Sequence, residues 1–226
     1  MCGPAMTAND VANPFLLVYA GLFPIVNPIG GAPIFLGLTR HYCAEHQRKR
    51  LALQVSINSF FLLLGSLLFG SYVLEFFGIT LPIVRVAGGL VVTATGWNLL
   101  QAQDDGNDGN DPEDTHKPVQ PNEAFYPLTM PLTVGPGSIA VAITLGSQRP
   151  RAANLTELAF LGGAAIAGLI AIAATIYLCY RFAEQTVGAL GESGTDVLVR
   201  LSAFILLCIG IEIIWNGYSA LVSVAG

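Results

Sequence analysis

Charge is what this chain has least of. Only 11% of its 226 residues are Asp, Glu, Lys or Arg, against 53% apolar, whereas a soluble domain carries about 25% charged residues. With a mean hydropathy of +0.62, that shortage excludes an ordinary solvated surface and places the chain in a lipid bilayer. Alternation of polar and apolar residues over about ten positions is also missing, which argues against a membrane β-barrel. Cysteine is sparse, and Cys2, Cys43, Cys179 and Cys208 show no paired spacing, so neither a disulfide framework nor a metal site is expected. The N-terminal MCGPAMTANDVANPF has no basic stretch ahead of its apolar run and no small-residue cleavage site, and it reads as part of the mature protein rather than a signal peptide. A nucleotide-binding loop and a nucleophile with a neighbouring base are absent as well. The chain is therefore expected not to be an enzyme or a primary pump, to need no cofactor and to bind no nucleic acid.

What the chain has instead is apolar length. Six blocks, at about 11–39, 53–77, 81–101, 124–146, 155–182 and 197–222, are each long enough to cross ~30 Å of hydrocarbon, which takes about 20 helical residues. The expectation is an all-α polytopic membrane protein with six transmembrane helices. Between the third and fourth blocks lies AQDDGNDGNDPEDTHKPVQPN, residues 102–122, whose acidic, Gly- and Pro-rich composition predicts a flexible linker. A calcium loop built from Asp105, Asn107, Asp108 and Asp111 fails on glycine spacing and on the missing closing glutamate. The linker divides the chain into residues 1–101 and 123–226, three helices each.

The two parts echo each other. Pro24, Pro28 and Pro33 in FPIVNPIGGAPIF, and Pro127, Pro131 and Pro136 in YPLTMPLTVGPGS, fit one offset of 103 residues. VRVAGGLVV at 84–92 and VRLSAFILL at 199–207 form a second echo, with Arg85 and Arg200 separated by 115. An odd number of helices per part makes the second part enter the membrane from the opposite side. The expectation is two inverted three-helix repeats with proline-broken helices 1 and 4. Arg40, Arg48, Lys49 and Arg50 follow the first block, while the segments before it and after the second block carry no basic residue. The first loop is then cytoplasmic and both termini lie outside the cytoplasm.

Two prolines and two glycines within residues 27–33 predict an interrupted helix. Backbone groups freed by a break inside a membrane are tolerated only where the segment is buried in protein or lines a cavity. A half-helix can aim its positive N-terminus at a carboxylate and its carbonyl end at an ammonium or cation. Asn27, Pro28, Gly30, Gly31 and Pro33, matched by Thr129, Thr133, Gly135, Pro136, Gly137 and Ser138, are the expected binding residues for a small zwitterionic substrate. A proton or sodium ion is the candidate coupling ion, and the bland alternative is a pair of packing kinks. Glu212, in the middle of ILLCIGIEIIWNG, is a functional candidate because ionisable groups inside a span are costly. Arg85 and Arg200 lie about four residues inside their helices, where arginine can snorkel. Arg85 and Glu212 fall at similar depth, so the three charges are candidates for an intramembrane pair or gate, with Glu75 competing for Arg85. Small residues at Gly162, Gly163, Ala164, Ala167, Gly168 and Ala171, and at Gly89, Thr93 and Gly96, predict close helix contacts. Oligomeric state stays open, a homo-oligomer included.

NPIGGAPIFLGLT, FFGITLPIVRVAGGLVV, PLTMPLTVGPGSIA and RLSAFILLCIGIEIIWNG together resemble, in order and spacing, the MarC family of bacterial integral membrane proteins. The resemblance covers nearly all of the chain outside the acidic segment. It implies membership of the broader lysine-exporter superfamily, six helices in the bacterial cytoplasmic (inner) membrane, and kinship with proteins described as transporters of small neutral amino acids. The motif stands intact at Asn27, Pro28, Gly30, Pro33, Gly135, Pro136 and Gly137. The functional expectation is a secondary transporter or exporter of small neutral amino acids or similar metabolites. The alternative is a non-transporting scaffold or stress-linked sensor that uses its basic and acidic loops.

Overall fold

A computed structural model describes residues 8–40, 45–101, 124–147 and 155–225, and no strand occurs among them. The acidic segment 102–122 lies outside the described residues, as do Cys2, Cys43, Arg149 and Arg151. The elements run α1 (Ala8–Val26), α2 (Pro28–Arg40), α3 (Glu45–Phe76), α4 (Leu81–Gln101), a π-helix (Ala124–Thr133), α5 (Pro136–Ser147), α6 (Leu155–Arg181) and α7 (Ala183–Ala225). Among the described residues, five spans are long and apolar enough to cross a membrane: Pro14–Thr39, which joins α1 and α2, then Glu45–Phe76, Leu81–Gln101, Ala159–Arg181 and Ser193–Ser223.

The sequence predicts six. The fourth block is instead two short helices, the ten-residue π-helix and the twelve-residue α5, neither long enough to span alone. The reason is chemical. Pro127, Pro131 and Pro136 supply no N–H, so the i→i−4 ladder cannot be maintained through this stretch. The backbone widens its turns: the Val134 N–H bonds the Thr129 carbonyl five residues back at 2.8 Å. Threonine hydroxyls add donors, Thr129 to the Ala124 carbonyl at 2.7 Å and Thr133 to the Leu128 carbonyl at 2.8 Å.

Elsewhere the ends are set by standard means. Gly78, at φ 68°, stops α3. Its N–H bonds the Glu75 carbonyl, and the Ile79 N–H bonds that of Leu74 at 2.9 Å, which is the Schellman pattern. Gly191, at φ 70°, kinks α7, and the spanning part follows it.

The core gathers Leu22, Val26, Phe35, Leu51, Leu63, Leu128, Val134, Leu169, Ile172 and Ile176 from α1, α2, α3, α6 and the segment around the second break. The outside is as apolar as the inside, with Phe61 and Phe69 each 64% exposed and Phe76 83% exposed, as a bilayer requires and water forbids. α4 packs on α7 and α5; α7 also packs on α2, and α3 packs on α5, α6 and the π-helix. The α4–α7 seam is lined with small residues. A Cβ on Gly96 would lie 2.7 Å from the Leu207 backbone nitrogen and 2.9 Å from the Ala203 carbonyl; one on Gly210 would lie 2.3 Å from Thr93 Oγ1. In α6 only part of the small-residue expectation holds. Gly168 abuts Val18, but Gly162 and Gly163 have nothing within 4 Å, because that face of α6 turns away from its neighbours.

Candidate functional site

The first break falls at Asn27, which sits at φ 46°, the one non-glycine residue at positive φ among the described residues. Asparagine tolerates this conformation better than other residues with a Cβ. Its N–H still bonds the Phe23 carbonyl at 3.0 Å and its carbonyl accepts from Gly31 at 2.9 Å, so Asn27 ends α1 and starts α2. Its Oδ1 accepts the Gly30 N–H at 3.1 Å, an N-cap, and Pro28 follows at the first helical position, where its missing N–H costs nothing. Pro28 therefore starts a helix, and it also denies the Pro24 carbonyl its i+4 donor. Glycine at position 30 is required by the cap: a Cβ there would lie 2.4 Å from Asn27 Nδ2 and 2.8 Å from Oδ1.

The second break falls at Val134 and Gly135, and Pro136 opens α5. Ser138 Oγ donates to the Gly135 carbonyl at 2.9 Å, and the Ile139 N–H reaches the same oxygen at 3.2 Å. The two breaks correspond by role, but not at the offset read from the prolines. An offset of 103 pairs Pro33 with Pro136. The residues that begin the second half-helices are Pro28 and Pro136, 108 apart.

Both breaks line one cavity of about 370 Å³. Asn27, Gly30 and Gly31 enter it from the first break, and Thr133, Gly135, Pro136, Gly137 and Ser138 from the second. Val91, Val92, Thr95 and Leu99 of α4 and Leu206 of α7 close the other side. No charged residue contributes. Polar capacity comes from the Asn27 amide, the hydroxyls of Thr95, Thr133 and Ser138, and the N-termini of α2 and α5, whose dipoles favour negative charge.

Not every predicted residue is there. Pro28 is buried behind the break. Pro33 faces a small separate gap toward α7 with Ala183 and Leu198. Thr129 is fully buried, engaged with the Ala124 carbonyl and with the Asn58 amide at 3.4 Å; its role is to hold the π-helix. The sequence reading missed Thr95, whose cavity position depends on helix rotation, and Tyr180. The Tyr180 ring is buried and stacked on Phe35, and its hydroxyl is 2.9 Å from Thr133 Oγ1. Next to Arg181 at the end of an apolar block, that tyrosine looks like an interfacial anchor. A Cβ on Gly31 would lie 2.8 Å from the Tyr180 oxygen, so a glycine in mid-helix was the one available sign of a close neighbour.

Arg85 and Glu212 form no ion pair. Arg48 pairs instead with Glu184, and Lys49 with Glu45. Arg85 lies beside Gly217, with its Cβ 3.0 Å from where a Gly217 Cβ would stand, and its Nε is buried without a partner. Glu212 precedes Gly217 by five residues, about 7.5 Å along the axis and about 140° around it. It is exposed on the outer face of α7, where Oε1 accepts from Asn216 at 3.1 Å. Helix rotation separates the charges that the sequence reading set at similar depth. Arg200 is also exposed on α7 and takes no part in the cavity lining.

The chain matches the model of the MarC family integral membrane proteins over residues 12–222. It belongs to the MarC family. It is 31% identical over 202 residues to the membrane protein YvbG of Bacillus subtilis, covering 88% of this chain and 92% of that one. It is 30% identical over 200 residues to the inner membrane protein MarC of Salmonella typhimurium, covering 87% and 90%. A membrane protein of Buchnera aphidicola is 30% identical over 209 residues, covering 92% and 93%. No solved structure matches the chain. The MarC-family chain is thus a multi-pass integral membrane protein, and its relatives' names specify no substrate.

Proposed function

We propose that this MarC-family protein is a secondary transporter or exporter of small neutral amino acids or similar metabolites, bound between its two broken helices. The observation that carries the reading is the uncharged cavity of about 370 Å³ at which both breaks meet. Its size is at the small end of ligand sites, ~300–1,000 Å³. Two half-helix N-termini suit a carboxylate, carbonyl ends and hydroxyls suit an ammonium, and Val91, Leu99 and Leu132 suit an apolar side chain.

The contact pattern favours two inverted three-helix repeats. Exchanging α1/α2, α3 and α4 for the π-helix/α5, α6 and α7 turns the α3–α5 contact into α6–α2, α4–α5 into α7–α2, and α1–α6 into π-helix–α3. All of these contacts occur. A parity argument favours six crossings. The Arg48–Glu184 ion pair holds the start of α3 beside the start of α7. With α3, α4 and α6 each crossing once, that is possible only if the π-helix and α5 together cross an odd number of times. The face bearing Arg48, Lys49, Arg50 and Arg181 is then cytoplasmic in a bacterial inner membrane, and both termini lie opposite. A reporter active only in the cytoplasm, fused after Gly226, should stay silent; activity would reverse the orientation.

Counterflow of radiolabelled amino acids in proteoliposomes tests the function. Uptake of one or more neutral amino acids is expected, abolished by Thr95→Trp, which fills the cavity from α4. Absence of flux across a broad panel of neutral solutes, with folded protein verified by chromatography, would reject the transporter reading.

A further inference from the structure

We propose that Tyr180 is the gate between the cavity at the two breaks and the end of the bundle that carries Arg48 and Glu184. This inference rests on the transporter reading for its purpose, though not for its test. The ring is 3% exposed and stacks on Phe35 with centroids 4.6 Å apart and planes within 16°. Its hydroxyl lies 2.9 Å from Thr133 Oγ1. The Thr133 proton is already donated to the Leu128 carbonyl at 2.8 Å, so the phenol is the donor and Thr133 the acceptor. One side chain at the end of α6 thus latches onto the last residue of the π-helix while passing over α2 at Gly31, where a Cβ would come within 2.8 Å of the phenol oxygen.

The two residues this phenol touches, Gly31 and Thr133, line the 370 Å³ cavity. Behind the same ring lies a second space of about 200 Å³, lined by Tyr180 with Glu45, Arg48, Lys49, Arg181 and Glu184. The Tyr180 ring, with Gly31 and Thr133 at its hydroxyl, thus stands between the two. The second space carries both signs of charge in close pairs, Arg48 with Glu184 and Lys49 with Glu45. This is a vestibule chemistry for a zwitterion, which can present its carboxylate to one member of a pair and its ammonium to the other. Turning the ring off Phe35 breaks one hydrogen bond and one stack and would join the spaces. Glycine at 31 leaves room for the ring in the closed position.

Cysteine accessibility tests the gate without any need for transport. In a background with Cys2, Cys43, Cys179 and Cys208 replaced by serine, Ser138→Cys places one thiol in the cavity. A membrane-impermeant thiosulfonate is applied in turn to each face of oriented vesicles, with Lys49→Cys marking the face that bears the vestibule. Slow labelling from that face is expected in the parent. Tyr180→Ala should accelerate it at least tenfold, Tyr180→Phe should accelerate it less because the stack remains, and labelling from the opposite face should not change. Labelling of the parent from the vestibule face as fast as at position 49, or no acceleration in Tyr180→Ala, overturns the proposal. If Tyr180→Ala does not fold, Tyr180→Phe decides: acceleration confined to the vestibule face supports the latch, and an unchanged rate overturns it. Accelerated labelling without amino acid flux would defeat the transporter reading and leave the gate standing. Flux without acceleration would do the reverse.

Discussion

Asn27 and Gly30 should behave as a single unit in a double-mutant cycle. Asn27→Ala removes the Oδ1 that accepts the Gly30 N–H at 3.1 Å, a cap worth about 0.5–2 kcal/mol. It also leaves alanine at φ 46°, for a further cost of about 1 kcal/mol. Gly30→Ala acts on the same group from the other side. Its new Cβ would stand 2.4 Å from Nδ2, 2.8 Å from Oδ1 and 2.9 Å from Cγ of Asn27, so the amide must swing away and the cap is lost, again at about 0.5–2 kcal/mol. Once Asn27 is alanine, the atoms that obstruct position 30 are gone. The double variant should then be about as stable as Asn27→Ala alone, or slightly more stable, because alanine is the better helix former by about 0.8–1 kcal/mol. The expected coupling is about 0.5–2 kcal/mol, against a scatter of ~0.3–0.5 kcal/mol for independent sites. Asn27→Gly, which relieves the backbone and loses only the amide, should be the mildest change at that position. Reversible unfolding in mixed detergent micelles supplies the four stabilities. Additive losses from Asn27→Ala and Gly30→Ala would refute the cap, and with it the account of why the chain breaks here.

Gly96→Ala and Gly210→Ala should each destabilise by about 1–3 kcal/mol, because the added carbon meets atoms of the partner helix at 2.3–2.9 Å. Gly65→Ala and Gly162→Ala, where nothing lies within 4 Å, should be neutral or stabilising by up to about 1 kcal/mol; thermal unfolding in detergent separates the two classes, and equal losses at open and seam positions would defeat the packing argument. Arg85→Leu and Glu212→Leu should be additive within about 0.5 kcal/mol in the same assay. A coupling of about 3 kcal/mol, as for a broken buried pair, would show that the charges meet in a state other than this one.

Chemistry that resides in the chain itself was legible from the sequence. Proline has no N–H, glycine weakens helices, and their clustering at 27–33 and 127–137 announced both breaks and the part of the cavity lining that the breaks themselves supply. What the sequence could not supply was azimuth. Arg85 and Glu212 were placed at compatible depth by counting 1.5 Å per residue, but the sides of α4 and α7 on which they sit follow from the glycine seam, whose tight contacts fix Gly89, Gly96, Gly210 and Gly217 face to face. The 103-residue offset of the prolines does not align the two helix starts, for a related reason. A match of three prolines assumes that the same helical pitch connects them in both halves. The π-helix changes the pitch in one half, so Pro136 takes the role of Pro28 rather than that of Pro33.

That difference between halves bears on how the site could move. The first break is capped from within: the Asn27 side chain closes its own next turn. The second is held from outside. Thr133 closes the π-helix through the Leu128 carbonyl, and its oxygen also accepts from a phenol on α6. A bond within one turn moves with that turn, whereas a bond between two helices resists their relative displacement until it breaks. On the transporter reading, a solute arriving beside Thr133 offers an ammonium or water in place of the phenol, so the solute and α6 compete for the same oxygen atom. On the same proposal, the segment with the regular α-helical break is the fixed wall, and the segment with the widened turns is the one that responds.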